Sequence, residues 1–125
     1  MAGKIVADTL EHSTAGSVTT DYVVNGSAKA WVNFNGTGTI AARDSLNLSS
    51  LTDGGTGDYE INILSAFSNN DYAPSFACGF EASANGRIVC YDGAFTTSVI
   101  LIRTSLTTTN QDVPVITGST HGDLA

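Results

Sequence analysis

Carboxylates are the first residues in this chain that could do chemistry. Asp53-Gly54-Gly55-Thr56-Gly57-Asp58 places an acidic side chain at each end of a pliable backbone, which with carbonyl help could cage a calcium ion. The stretch lacks the spaced acidic ladder and distal bidentate Glu of an EF-hand. Its plainer reading is a turn whose glycines supply positive φ. Asp44, Asp58, Glu60 and Glu81 could furnish a glycosidase-type pair, but any acidic chain offers such pairs by chance. Ser, His and Asp are all present without a Gly-x-Ser-x-Gly elbow, and His12 and His121 lie near opposite ends. Gly36-Thr37-Gly38 is too short for a dinucleotide fingerprint and precedes a strand rather than a helix. The expectation is a non-enzymatic protein with no catalytic, metal or cofactor residues.

Cys78 and Cys90 are the only cysteines, too few for an unaided tetrahedral zinc site. They are the candidates for a disulfide. Asn85-Gly86 between them is a two-residue hairpin signal. With that turn, Glu81 pairs with Cys90, and Cys78 falls on the opposite face. This disfavours an internal bridge and favours two buried thiols behaving as small hydrophobes, with a bridge between subunits as the alternative.

Surface recognition remains. Tyr22, Trp31, Tyr59, Tyr72 and Tyr91 are the aromatic residues with a polar handle, and such rings are what sugars and protein partners stack on. Core packing is the simpler reading for the tyrosines. Trp31 is different, because Ala28, Ala30, Val32 and Phe34 claim the core side of its strand and leave Lys29, Trp31 and Asn33 on the other.

The elements that must position these residues are strands. Helical periodicity is confined to a short piece around Val6 to His12. Strands are expected over residues 18–24, 27–34, 37–42, 45–51, 59–64, 72–84, 87–91 and 97–106, the last central in its sheet. Pro74 marks an edge, bulge or strand start, and Arg103 must be paired or near a strand end. Turn signals every eight to twelve residues point to an all-β antiparallel β-sandwich, jelly-roll-like. Residues 1–22 read as an N-terminal arm for attachment or subunit contact and 23–125 as the sandwich domain, with a weakly patterned, arm-like tail from Asn110.

Composition narrows the partners. The chain of 125 residues carries a formal net charge of −7, and its five Lys and Arg are scattered singly. That excludes the clustered cations of a nucleic-acid binder and argues against anionic lipid. Only 14% of residues are charged, against 42% hydrophobic, so the surface is kept wet by hydroxyls and amides, as in extracellular and virion β-proteins. No apolar run is long enough to span a bilayer, and the start MAGKIVADTLEHS has no signal-peptide h-region. A particle assembled in a host cytoplasm and released by lysis fits both observations.

Residues 23–73 carry NGSAKAWVNFNGTGT, then SSLTD, then GDY opening a strand, then NNDYA. In that order they resemble a module recurring in bacteriophage tail-fibre and receptor-binding proteins. The resemblance implies a virion protein of the tail, β-rich and homotrimeric. Its expected partners are other tail or baseplate proteins and a host surface glycan. It also implies that Lys29, Trp31 and Asn33 form a subunit-interface stripe. A capsid decoration (cement) protein is the runner-up, and a small glycan-active enzyme the rival from another class.

Overall fold

The computed structural model describes residues 3–79 and 88–125, so the Asn85-Gly86 turn lies outside the described residues. The chain begins with a hairpin, β1 (Thr9–His12) against β2 (Gly16–Thr19), followed by helix α1 (Thr20–Gly26). This corrects the sequence reading twice: the piece around Val6 to His12 is a strand at its end, and residues 20–24 of the expected strand are helical. Thr20 starts the helix by donating its N–H to Asp8 O (2.9 Å) and its hydroxyl to Ala7 O (2.8 Å). Asp21 sits in the positive first turn. At the other end the Lys29 ammonium donates to Val24 O and to Ser27 Oγ (3.0 Å), placing a cation on the last carbonyls.

From Ala30 onward every described element is a strand, and the two-residue alternation of inside and outside is explicit over Ala30–Asn35, Asp58–Ile63 and residues 99–104. The strands are β3 (Ala30–Asn35), β4 (Ala41–Leu46), β5 (Leu48–Gly55), β6 (Asp58–Ile63), β7 (Ala73–Gly79), β8 (Ile88–Tyr91), β9 (Val99–Leu106), β10 (Thr109–Asn110) and β11 (Val115–His121). One sheet runs β4-β3-β11-β7; the other runs β10-β9-β6-β5 with β8 also on β9, and all pairings are antiparallel. Ala30, Val32 and Phe34 of β3 face Ile61, Ile63, Ile100 and Ile102 of the second sheet in one core, closed by Phe67, Tyr72 and Val113. Burying each such side chain is worth about 1.5–3 kcal/mol. The chain is therefore all-β and sandwich-like, with β9 central in its sheet as its apolar run requires. Pro74 sits near the start of β7, an edge strand where its missing N–H costs little.

The largest correction concerns the tail. Residues from Asn110 are not an arm: β11 is an inner strand between β3 and β7, and Ile116 and Thr120 on its inner face are buried. The chain then docks Ala125 N on Ala66 O (2.9 Å). The expected pairing of Glu81 with Cys90 lies outside the described residues; within them, β7 belongs to the β11 sheet and β8 to the β9 sheet.

The sheets are locked at one corner by buried polar groups. The Tyr59 hydroxyl donates to Gly36 O (2.8 Å) and lies 3.2 Å from Asp112 Oδ1, which also accepts the Gly57 N–H (2.7 Å). Thr104 Oγ1 donates to Gln111 O (2.6 Å), and Gly36 N–H to Val113 O (3.0 Å). Three connections are thus pinned to one tyrosine. Burial first, then the Asp112 carboxylate, pushes the Tyr59 hydroxyl from 10.0 up to about 12. A phenol raised in the folded state contributes stability that is fully present below the unfolded value. It is lost as pH rises from there through the folded value, about 2–3 kcal/mol in all. Urea unfolding at about pH 9 and about pH 11 should show about half of this loss, roughly 1–1.5 kcal/mol, and Tyr59→Phe should remove most of it. Some slope will persist, because burial also raises Tyr72 and Tyr91.

Candidate functional surfaces

The acidic loop is a turn. Asp53 Oδ1 accepts the Gly55 N–H (2.9 Å), and Gly55 and Gly57 adopt positive φ, as the turn reading requires. Asp58 is engaged elsewhere, with its Oδ1 2.7 Å from Nε of Arg103. Arg103 also pairs with Asp92 through Nη2, so this cation is the paired one that its place in β9 demanded. The Asp58 hydrogen bond, ahead of the surrounding carboxylate charge, raises the guanidinium's affinity for its proton further. Among the described residues no group of three or more His, Cys, Asp and Glu side chains is arranged to hold a metal ion.

The histidines are apart in space as in sequence. His12 Nδ1 accepts the Ala15 N–H (3.0 Å) and closes the β1–β2 turn, while His121 ends β11, half-buried, opposite Ala73. Cys78 is half-buried on the inner face of β7 beside Ile116, and Cys90 on β8 is exposed, which departs from the expectation of two buried thiols. The tyrosines divide: Tyr59 and Tyr72 are core, whereas Tyr22 and Tyr91 are exposed.

Two surfaces remain for recognition. One is the arm, whose hairpin and helix bury nothing and expose Ile5, Val6, Leu10, Val18, Tyr22, Val23 and Val24. The signal was present in the sequence as β-prone residues, but their exposure was not. The other is the outer face of the β4-β3-β11-β7 sheet. Register lays Leu46, Trp31, Ser119 and Ser75 in one row and Asp44, Asn33, Thr117 and Ala77 in the next. Trp31 is half-buried there, over a floor of small residues. Arg43, the extra residue where β4 slips register, crosses the face to donate to Asn33 Oδ1 (3.1 Å) and Pro114 O (2.7 Å). Of the expected stripe, Trp31 and Asn33 share this face, while the Lys29 ammonium turns back to the end of α1.

No family model, curated protein or solved structure matches this chain. No helix among the described residues is long and apolar enough to cross a membrane.

Proposed function

We propose that the chain is a non-enzymatic phage virion protein, a tail fibre or fibre-associated (baseplate adaptor) protein. It would work as a jelly-roll-like homotrimer in assembly and host-surface attachment. The ordered motifs over residues 23–73 support the family, and the return of β11 to lie beside β3 supports the jelly-roll comparison. The observation that carries the reading is the arm. An isolated two-stranded hairpin is marginal in water, and this one holds its apolar side chains in solvent beside a seven-residue helix with no buried residue. Such an element is completed by what it docks on: a neighbouring copy or a neighbouring virion protein. The outer sheet face is mostly hydroxyls and small residues, so subunit contact is assigned to the arm rather than to the Trp31 stripe. Three linked copies would raise avidity for a host surface without strong single contacts.

Immunogold labelling of purified virions tests the placement, with signal expected on the tail. Label on the head would sink the fibre reading and favour a decoration protein. For the oligomer, sedimentation at micromolar concentration should give a trimer. Ile5→Ser with Val24→Ser, which line one groove of the arm, should shift it toward monomer with an unchanged β-sheet circular dichroism spectrum. A wild-type monomer would refute the trimer.

A further inference from the structure

The chain's one tryptophan stands where a ligand could reach it. Trp31 walls an open groove of about 400 Å³ whose floor is Ser75, Thr117 and Ser119 with Ala77. Among the described residues, the indole N–H of Trp31 and the hydroxyls of Ser75, Thr117 and Ser119 have no hydrogen-bond partner. One row away the amide of Asn33 is held in place through its oxygen by Arg43, which leaves its NH2 group directed to other acceptors. Strand geometry puts these rows within about 5–7 Å of one another, comparable to the width of a single sugar ring.

We propose that this face is a binding site for a neutral hexopyranose glycan, with one sugar ring stacked on Trp31. A pyranose needs an aromatic plane for its C–H face and a scatter of donors and acceptors for its equatorial hydroxyls. The face offers one ring, three unpartnered hydroxyls and an oriented amide. It offers too little apolar surface for a stable protein contact, since Leu46 is the only other large hydrophobe in the Trp31 row. Charge does not favour acidic sugars: the chain carries −7 and Asp44 stands opposite Asn33 on this face, while the Arg43 guanidinium there is committed to Asn33 Oδ1 and Pro114 O. The inference rests on the host-attachment reading and names the ligand class that attachment would use.

The site carries its own reporter, because Trp31 is the sole tryptophan. Titrating the full chain with neutral glucose- and galactose-containing oligosaccharides should give a saturable change in indole fluorescence, and sialyllactose should give none. By calorimetry, Thr117→Val with Ser119→Ala should weaken binding about threefold to tenfold, the scale of one or two hydrogen bonds. Trp31→Ala should weaken it about tenfold or more, with sedimentation unchanged. A preference for sialyllactose would overturn the proposal, as would dissociation of the oligomer by Trp31→Ala, which would make the face a subunit contact. If no neutral sugar perturbs Trp31 at high millimolar concentration, yet the protein is on the tail and adsorbs to host cells, the glycan site is wrong and the attachment reading survives. Absence from the tail together with failure to adsorb would remove both.

Discussion

Ending the chain after Asp112 is expected to abolish the fold. The residues removed include all of β11, which pairs with β3 from Ile116 to Thr120 on one edge and with β7 from Val115 to His121 on the other. Losing it strips two ladders at once and leaves β7 without a sheet partner. It also removes Val113 and Ile116, both fully buried in the core. Their burial alone is worth about 3–6 kcal/mol, of the same order as the whole stability of a small domain, about 5–15 kcal/mol. Val32 and Phe34 would lose their β11 neighbours, Gly118 and Ile116, as well. The truncated chain should lack a cooperative thermal transition and show collapsed amide dispersion by NMR. A sharp melt would mean that β11 is dispensable and that its inner position is wrong.

That strand is also where the sequence was hardest to read, and the reason is physical. β6 and β9 announce themselves, because Tyr59, Ile61 and Ile63, and Ile100 and Ile102, put large apolar groups on the inner face. β11 places Ile116, Gly118 and Thr120 on its inner face. The Phe76 ring lies where a side chain of Gly118 would stand, with its Cδ1 2.2 Å from the position of an added Cβ. A glycine that makes room for a neighbouring strand's ring, and a buried threonine, hide the alternation from any hydrophobic count. The arm misled in the opposite way. Val18, Tyr22, Val23 and Val24 favour strands intrinsically, but nothing packs on them, so a local hydrogen-bonded start at Thr20 and an acidic first turn decide for helix after Thr19. The Trp31 face was legible from its strand onward: alternation placed Trp31 and Asn33 outward, as found. Its floor was not, because Ser75, Thr117 and Ser119 come from strands distant in sequence or unread. Arg43 reached the site through a register slip that pattern does not reveal.

Gly57→Ala is expected to cost about 2–5 kcal/mol, through backbone strain and overpacking together. Gly57 has φ +73°, and an added Cβ would lie 2.5 Å from Thr104 O and 2.7 Å from Gln111 N, atoms of the main chain that no rotamer change can move. The same residue donates its N–H to Asp112 and accepts the Thr104 N–H at 2.7 Å, so a shift that relieves the clash breaks the corner where Tyr59 is held. In a chain of 125 residues the melting temperature should fall by roughly 10–20 °C. Gly55→Ala is the matched comparison, since Gly55 also has positive φ (124°) but nothing within 4 Å of an added Cβ. It should lose the backbone term alone, about 1–3 kcal/mol. Equal losses at the two positions would show that the corner is not close-packed. Pairing Gly57→Ala with Asp112→Ala sharpens the test. Asp112→Ala strands the Gly57 N–H at a cost of about 1–3 kcal/mol, but only while Gly57 still presents it. Once the clash has displaced that donor, the second loss has largely been incurred, so the double variant should fall short of the sum by about 1 kcal/mol or more. Strict additivity would mean that the turn yields without disturbing the hydrogen bond between Gly57 and Asp112.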